Sequence, residues 1–243
     1  MNLNRSLSHI NNQWFSKPDA FAFIKKDLEN QIRIKKILNL FNQLKKSESK
    51  LLDIGCANGF ITKEFVKMKY QAYGIDISSK LLKQAKKKEV KVKQIDINNG
   101  LSFSNNFFDF IFAGEIIEHI QNTEIIFKEI NRVLKKNGQI IITTPNLAHL
   151  PDRIKLLKGQ APTQIQPLHK YLKLHIRQFT HSSLNQILRS YGFKIIKSQS
   201  TIVVFKRNLK DLDKVTKYSK ILANLFPSFG ASIIIQAQKK SSI

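Results

Sequence analysis

The stretch LLDIGCANG, residues 51–59, decides which fold this sequence predicts. Its apolar start reads as a buried strand that ends at the carboxylate of Asp53. A glycine-rich turn from Gly55 to Gly59 follows and opens an amphipathic segment, as at a strand-to-helix junction. In open α/β sheets, ligands bind beyond the carboxyl ends of the strands, where glycines let the backbone approach the ligand closely. The stretch therefore predicts a ligand-binding loop in an α/β fold.

Short apolar runs alternate with amphipathic segments through the rest of the chain. Further strands are expected at residues 72–75, 90–95, 108–113 and 139–143, then from Phe193 towards Phe205 and over 231–237. Helices are expected between them; Asn137-Gly138 ends the one after the fourth strand, and Thr180 caps the next. Strands and helices that alternate at this pace indicate parallel strands with helices on both faces. We therefore expect a Rossmann-like, doubly wound, mostly parallel seven-stranded sheet.

The same pattern divides the chain into two parts. Residues 1–47 read as an N-terminal helical segment, with apolar residues at helical spacing, and residues 48–243 as one α/β domain. Within that domain, residues 147–175 contain Pro151, Pro162 and Pro167 and show no clear period. This insertion follows the fifth strand at the ligand edge of the sheet, so we expect it to form a lid over a bound substrate.

Charge is the unusual feature of the composition. The 243 residues include 41 Lys and Arg against 17 Asp and Glu, which gives a formal net charge of +24. Such an excess attracts polyanions, either nucleic acid such as RNA or an anionic membrane surface. The lysines are scattered rather than gathered in one tail, however, and scattered lysines are usually a solvated surface. The charge therefore leaves a polyanionic partner and an ordinary basic surface both open.

The remaining composition bears on where the protein works. Cys56 is the single cysteine, so no intrachain disulfide can form, which fits a reducing cytosol. The N-terminus lacks the apolar region of a signal peptide, and no stretch has the uncharged apolar length that spans a bilayer. We therefore expect a cytoplasmic protein, with or without peripheral attachment to a membrane.

Two more carboxylates follow the second and third strands. The second strand ends in Gly74-Ile75-Asp76, where a carboxylate can accept hydrogen bonds from a ribose diol, and Asp96 ends the third strand at the level of an adenine ring. A dinucleotide dehydrogenase is the competing interpretation, but its Gly-x-Gly-x-x-Gly fingerprint brings helix amides to a pyrophosphate. Here the glycines are spaced Gly55-x-x-x-Gly59, with Asp53 just before them. A carboxylate at that place favours a cationic cofactor, such as a sulfonium that bears an amino group.

Five stretches resemble class I S-adenosylmethionine-dependent methyltransferases, in the group that includes the ubiquinone-biosynthesis O-methyltransferases. They are DIGCANG (53–59), GID (74–76), FDFIFAGEIIEHI (108–120), RVLKKNGQIIITTPN (132–146) and HIRQFT (175–180), and the resemblance covers roughly residues 50–238. It implies that residues 48–243 form the methyltransferase domain. Ala57 departs from the family, which commonly has glycine there, and because alanine is small we expect cofactor binding to survive.

The resemblance also implies which residues bind S-adenosylmethionine. Asp53 and the loop 55–59 would hold the methionine part, Asp76 the ribose hydroxyls, and Asp96 with Ile97 the adenine. The full predicted cofactor-binding set is Asp53, Gly55, Cys56, Ala57, Gly59, Asp76, Ile77, Asp96, Ile97 and Gly114.

A second group of polar residues follows the fourth strand in the sequence GEIIEH, residues 114–119. If a helix begins there, Glu115, Glu118 and His119 share one face at the ligand edge of the sheet. Two carboxylates and an imidazole could hold Mg²⁺ or Mn²⁺, with His175 as a fourth ligand, and would then activate an acceptor hydroxyl. The alternatives are that Glu118 or His119 only orients the backbone, or that His119 is a general base without a metal. The other conspicuous histidines, His149, His169 and His181, are expected to be polar loop residues.

These residues predict methyl transfer to a hydroxyl of a small-molecule, lipid or quinone, or sugar acceptor, with Glu115, Glu118 and His119 as the catalytic group. An RNA ribose 2′-O-methyltransferase is an alternative, because the small-RNA 3′-terminal 2′-O-methyltransferases resemble this sequence around residues 115–119 and have a histidine in a position like His175. A non-catalytic, basic RNA-binding subunit with the same fold is another. A basic helical stretch could lie on an anionic surface or simply cover the sheet; it carries Lys206, Arg207, Lys210, Lys214, Lys217 and Lys220.

Overall fold

A computed structural model describes residues 27–44, 48–166, 175–203 and 212–240, with side chains from residue 217 onward in the last range. The helices are α1 (Leu28–Leu44), α2 (Phe60–Lys67), α3 (Ser79–Lys86), α4 (Thr123–Val133), α5 (Leu150–Leu157), α6 (His181–Ser190) and α7 (Leu212–Leu225). The strands are β1 (Lys50–Ile54), β2 (Gln71–Asp76), β3 (Lys91–Gln94), β4 (Phe108–Gly114), β5 (Leu134–Pro145), β6 (Phe193–Ser200) and β7 (Ser232–Lys239).

The seven strands form one sheet in the order β3-β2-β1-β4-β5-β7-β6. The first five in that order pair in parallel, and β7 is antiparallel to both β5 and β6. The chain leaves β1 towards β2 on one side and reaches β4 on the other, so the order reverses between β1 and β4. A crevice at such a reversal is where doubly wound sheets bind ligands. The predicted Rossmann-like, mostly parallel seven-stranded sheet is confirmed.

Helix α1 packs against the sheet as part of the same core. Its Ile37 and Phe41 are fully buried, and the Phe41 ring meets the ring of Phe65 from α2 edge-on at 4.7 Å. The Tyr70 hydroxyl also donates a 2.6 Å hydrogen bond to the Phe41 carbonyl oxygen. Burial of such aromatic side chains is a large part of core stability. The described part of the predicted N-terminal segment thus joins the α/β unit, while residues 1–26 and 45–47 lie outside the described residues.

The junction between α4 and β5 differs from the sequence prediction. Helix α4 ends at Val133, and the strand begins at once with Leu134, which pairs with Phe108. Asn137 has a φ of 60°, and the register between β4 and β5 shifts near this point. The prediction that Asn137-Gly138 ends the helix is therefore wrong. The two residues form an irregularity inside the strand pair. Asparagine and glycine suit this place as they suit a helix end, because asparagine tolerates a left-handed backbone and glycine fits where the backbone is crowded.

The predicted lid, residues 147–175, contains a helix that the sequence pattern did not indicate. Helix α5 begins at Leu150 with Pro151 in its first turn, where a missing N–H costs nothing. Asp152 is buried and accepts hydrogen bonds from the backbone and hydroxyl of Thr163, at 3.0 and 2.7 Å. Burial alone would raise the pKa of Asp152, but hydrogen bonds from its neighbours hold it below its usual range. These bonds tie α5 to the segment after it; residues 167–174 lie outside the described residues.

Two expectations concern the C-terminal part of the chain. Strand β6 ends at Ser200, so the predicted extension to Phe205 is wrong for residues 201–203, which are described and form no strand; residues 204–205 lie outside the described residues. Lys206, Arg207 and Lys210 of the predicted basic helix also lie outside the described residues. The described part of that stretch is α7. Among the helices that the structure describes, none has both the length and the apolar character needed to cross a bilayer.

Candidate active site

The loop between β1 and α2 lies where the sheet order reverses. The backbone amides of Gly55 and Cys56 both donate to the carbonyl oxygen of Ile75 in β2, at 2.9 Å each. Gly55 has a φ of +75°, and a Cβ at this position would lie 2.9 Å from the side chain of Ile116. A larger residue is therefore excluded twice, by backbone strain and by contact. The same contact shows that the loop lies directly against the segment that follows β4.

Asp53 is nearly fully buried at the end of β1. Its Oδ2 accepts a 2.6 Å hydrogen bond from the hydroxyl of Thr62 in α2. Burial raises the pKa of Asp53 to about 7, the Thr62 bond opposes that rise, and the charge of Asp76 adds to it. A buried carboxylate whose pKa is raised in this way is stabilised in its ionised form when a positive charge comes close.

Asp76 ends β2 and is held by the backbone on both sides. Its Oδ2 accepts from the amide of Ala57 at 3.0 Å, and its Oδ1 accepts from the amide of Ser78 at 2.8 Å. Burial raises the pKa of Asp76, and these amides oppose the rise. The side chain therefore joins the predicted cofactor loop to the turn that opens α3. Ala57 itself has a φ of 48°, the left-handed region in which alanine is strained.

The other residues predicted to bind the cofactor lie around the same edge. Asp96 caps a short 3₁₀ turn, Ile97–Asn99, by accepting a 3.0 Å bond from the amide of Asn98, and Ile97 packs against the core. Cys56 is buried, and its sulfur would be 2.6 Å from a Cβ placed on Gly74, which requires glycine in β2. Gly114 is the last residue of β4, and Ile77 directly follows β2. Four adjacent strands, β3-β2-β1-β4, thus bring the predicted set to one sheet edge.

The segment after β4 is not the helix that the sequence suggested. Glu115 has a φ of 52°, and its amide donates to the Thr143 carbonyl at the end of β5 at 2.9 Å. A single 3₁₀ turn, Ile117–His119, follows. The prediction that Glu115 shares a helical face with Glu118 and His119 is therefore wrong, because the backbone turns left-handed before the helical residues begin.

Glu115 instead pairs with a residue of α1, the first helix that the structure describes. Its Oε2 lies 2.9 Å from Nη1 of Arg33 in α1. The same Nη1 lies 3.8 Å from Oε2 of Glu29, so Glu29 is a second, more distant partner of Arg33. Burial works against the charge of Arg33, but the carboxylates of Glu115, Glu29 and Glu118 outweigh it and raise its pKa. For Glu115, burial raises the pKa and Arg33 opposes that rise. Glu115 is thus committed to an ion pair.

Glu118 is almost fully buried, with 2% of its side chain exposed. Its Oε2 accepts a 2.9 Å hydrogen bond from the Thr144 hydroxyl, and its Oε1 lies 3.9 Å from Nε2 of His119. Burial, followed by repulsion from Glu115, raises its pKa well above the ordinary value. A positive charge close to Glu118 would therefore stabilise its ionised form.

The end of the lid insertion returns to this group. The amides of Ile176 and Arg177 donate to the Glu118 carbonyl oxygen at 2.9 and 3.0 Å, and the rings of His119 and His175 meet edge-on at 4.9 Å. Glu118, His119 and His175 each offer one ligand atom, and the three atoms lie within 4.8 Å of one another. The structure brings these three predicted residues together and leaves Glu115 out of the group.

Three residues of this site were not found from the sequence. Arg33 lies in a helix that also carries Lys35 and Lys36, and the pairing of Glu29 with Arg33 at i and i+4 was the only local signal that it differs from them. Thr62 and Thr144 hydrogen-bond the carboxylates of Asp53 and Glu118 from α2 and β5. Their hydroxyls matter only through long-range packing, which no spacing rule reveals.

Comparisons with known proteins identify the family of this chain. A sequence profile of the family described as "Methyltransferase domain" matches residues 25–198. The malonyl-[acyl-carrier protein] O-methyltransferase of Legionella pneumophila is 30% identical over 169 residues, which are 64% of this chain and 58% of that protein. The ubiquinone biosynthesis O-methyltransferase of Pelagibacter ubique is 34% identical over 133 residues, 53% of each chain. The chain thus spans little more than half the length of these two relatives.

The fold has a close counterpart among solved structures. An S-adenosylmethionine-dependent methyltransferase from Thermotoga maritima superposes with a TM-score of 0.71, over 96% of this chain and 99% of the other, at 19% identity. At this identity the likeness concerns the fold alone.

Proposed function

This chain belongs to the class I S-adenosylmethionine-dependent methyltransferases, and on that premise we propose that it methylates a hydroxyl group of a small-molecule, lipid or sugar acceptor. One observation carries the choice of a hydroxyl. The buried Glu118 and the adjacent His119 lie in the segment that contacts the Gly55 loop, so acid–base groups stand beside the predicted cofactor loop. Hydroxyl oxygens are poor nucleophiles until they lose a proton, and a positioned base supplies that step.

In the proposed reaction, the protein must position the acceptor hydroxyl next to the methyl group and supply a group that accepts the hydroxyl proton. The acceptor oxygen forms a bond to the methyl carbon, the sulfur–carbon bond breaks, and the sulfonium leaves as a neutral thioether. His119 takes the hydroxyl proton, and the Glu118 carboxylate, with Oε1 3.9 Å from Nε2 of His119, stabilises the imidazolium that forms by its charge. The lid segment that carries His175 reaches the same point and would exclude water from the acceptor.

A divalent metal fits the same three residues as an alternative, in which the metal rather than His119 would activate the hydroxyl, because an imidazole that binds a metal does not also take the proton. The pKa of Glu118 is raised by burial and by Glu115, so a cation beside it would stabilise its ionised form, and the donor atoms of His119 and His175 lie within 4.8 Å. Held by Glu118, His119 and His175, an ion such as Mn²⁺ or Mg²⁺ would supply Lewis acidity that lowers the pKa of an acceptor hydroxyl. Two imidazoles and one carboxylate suit Mn²⁺ better than Mg²⁺, which prefers oxygen ligands.

The cofactor part of the proposal is tested by isothermal titration with S-adenosylmethionine. Replacement of Asp76 by Ala removes an acceptor for ribose hydroxyls and also frees the amides of Ala57 and Ser78. We expect the dissociation constant to rise about ten- to hundredfold. Glu124→Gln, at an exposed position of α4, is the matched control and should bind like the wild type. An unchanged constant for the Asp76 variant would mean that the ribose is held elsewhere.

The acceptor is tested with methyl-labelled cofactor and separate RNA, lipid and small-molecule extracts. We expect label in an alkali-stable ether of a lipid or small-molecule fraction, and its loss in the Glu118→Ala variant while cofactor affinity changes little. Turnover that persists in the presence of a chelator, with cofactor binding intact, would contradict the metal part alone. Label found in nitrogen or in RNA would contradict the proposed acceptor.

The two alternatives that involve RNA, a ribose 2′-O-methyltransferase and a non-catalytic RNA-binding subunit, lack independent support. The relatives reported above are named for methylation of an acyl-carrier-protein substrate and in ubiquinone biosynthesis, and nothing in the comparisons favours an RNA acceptor. A non-catalytic RNA-binding subunit would not need an intact cofactor loop. Failure to bind S-adenosylmethionine at micromolar concentrations would favour that reading.

A further inference from the structure

Helix α7 has two faces of different character. Ser219 and Ala223 are buried on the side where the helix contacts β6. Tyr218, Ile221 and Leu225, in contrast, are 71%, 46% and 69% exposed. Their spacing of three and four residues places them in one stripe along the helix. A helix that packs on a sheet by one face normally shows polar residues on the other, so this apolar stripe is left uncovered by the part of the chain that the structure describes.

The apolar stripe continues past the end of the helix. Phe226 is 52% exposed, and its ring stacks on that of Phe229 with a centroid distance of 5.5 Å. The guanidinium of Arg153 in α5 lies 4.8 Å from the Phe229 ring centroid, and it donates a 3.0 Å hydrogen bond to the carbonyl of Ser228. The end of α7 is therefore joined to α5, the helix of the lid insertion.

Helix α5 adds exposed apolar side chains next to this junction. Leu156 and Leu157 follow Arg153 by three and four residues, so they project from the same side of the helix. They are 54% and 88% exposed. We call the exposed residues of the two helices the apolar surface: Leu156, Leu157, Tyr218, Ile221, Leu225 and Phe226.

Among the side chains of α5 and α7 that the structure describes, the exposed charges are all positive. Lys217 and Lys220 are exposed beside the stripe of α7, and Lys158 is exposed at the end of α5. Residues 217–226 contain no acid, and the one acid of α5, Asp152, is buried and hydrogen-bonded to Lys155 and Thr163. With a net charge of +24 for the chain, the surface would attract an anionic partner.

We propose that the apolar surface docks on an anionic lipid bilayer. An apolar stripe flanked by lysines suits the boundary between lipid headgroups and acyl chains, because the side chains lose water while the ammonium groups stay with the phosphates. RNA would satisfy the lysines but would leave six large apolar side chains without a partner. Since α5 belongs to the lid, docking would place the proposed site near the membrane and would let a lipid acceptor enter from it. The docking itself does not depend on the proposed methyl transfer.

Vesicle sedimentation tests this proposal on the full chain. Vesicles of phosphatidylcholine alone are compared with vesicles that also contain phosphatidylglycerol. We expect binding to the anionic vesicles only, weakened as NaCl rises from about 0.1 M to about 0.5 M. The triple variant Tyr218→Gln, Ile221→Gln, Leu225→Gln should lower the partition coefficient about tenfold or more, since it removes the inserted side chains.

A charge variant and its control separate local docking from general attraction. Lys217→Glu with Lys220→Glu should weaken binding strongly. Lys86→Glu with Lys87→Glu makes the same change in net charge at exposed positions around the end of α3, beside the opposite edge of the sheet, and should weaken it much less. All replaced side chains are exposed, so S-adenosylmethionine binding should be unchanged in every variant, which also keeps this test separate from that of the methyl transfer.

Four results would overturn the proposal. They are no binding to anionic vesicles, equal loss in the two charge variants, a triple variant that binds like the wild type, and a dimer in solution that the triple variant dissociates. The last would assign the surface to a second copy of the chain. Tight binding of single-stranded RNA, lost in Lys217→Glu with Lys220→Glu and unaccompanied by vesicle binding, would assign it to nucleic acid.

Discussion

Nη1 of Arg33 lies 2.9 Å from Oε2 of Glu115, and both side chains are largely buried, at 11% and 27% exposure. Arg33 belongs to α1, and Glu115 follows β4 next to the Gly55 loop. This pair therefore ties the first described helix to the edge of the sheet where the cofactor is predicted to bind. It also explains why Glu115 is absent from the group of Glu118, His119 and His175.

Breaking this pair should destabilise the protein. Arg33→Met leaves the Glu115 carboxylate buried without its cation, and we expect the free energy of unfolding to fall by about 3 kcal/mol or more. The double variant with Glu115→Gln should lose clearly less than the sum of the two single changes, because neither charge is then left alone. Denaturant unfolding of the four proteins measures this coupling. Lys35→Met, at an exposed position of the same helix, is the control and should change little; additive losses would contradict the pairing.

The affinity for S-adenosylmethionine should depend on pH through Asp53. Burial, partly offset by the Thr62 hydrogen bond, raises the pKa of Asp53 to about 7. The positively charged cofactor favours the ionised form, so below that pH binding must release a proton. We expect the dissociation constant to rise as pH falls from about 7 to about 6, approaching tenfold per unit, and to level off above about 7.

Titration calorimetry in two buffers of different ionisation enthalpy measures this proton release directly. Asp53→Asn should bind more weakly at neutral pH and lose most of the pH dependence. A wild-type constant that stays flat between about pH 6 and 8 would mean that Asp53 does not meet the charge of the cofactor.

Some parts of this architecture are local properties of the sequence, and others are not. The strand before Asp53 and the turn at Gly55 follow from a short apolar run and from residues that tolerate left-handed backbone, so the pattern predicts them well. Glu115 was misplaced because its φ of 52° interrupts the helical spacing, and nothing in the letters GEIIEH indicates that turn. The contact of Arg33 with Glu115 joins residues far apart in sequence, so only the fold reveals it.

The lid insertion likewise combines features that the local sequence indicates with features that depend on contacts in the fold. Its prolines indicated irregular structure, yet α5 forms because Pro151 occupies a first helical turn and Asp152 is buried against Thr163. The expected return of His175 to the Glu118–His119 group rests on its place at the end of the insertion and on the resemblance, and the ring contact with His119 at 4.9 Å agrees with it.

The cofactor loop should accept glycine at position 57 and reject a branched residue. Ala57 has a φ of 48°, and its amide donates to Asp76 at 3.0 Å. Ala57→Gly relieves the strain while making the unfolded chain more flexible, so we expect stability and cofactor affinity to change little. Ala57→Val cannot adopt this backbone without strain, and we expect its dissociation constant for S-adenosylmethionine to rise about tenfold or more. Titration of the two variants side by side measures the difference, and equal affinities would contradict the role of this backbone.

Stability in mild acid should depend on His181, which the sequence placed among polar loop residues. The structure makes it the first residue of α6, 8% exposed, with Nδ1 at 2.9 Å from the Ser198 hydroxyl oxygen. Burial lowers its pKa from 6.5 to about 4. Between these values the unfolded chain binds the proton and the folded chain does not, so this contribution to stability is present above about pH 6.5 and is lost as pH falls towards 4.

From about pH 7.5 to about pH 5, the wild type should lose about 2 kcal/mol more than His181→Gln in denaturant unfolding, because the variant has no imidazole to protonate. Parallel pH profiles for the two proteins would show that His181 accepts its proton in the folded state as easily as in the unfolded chain.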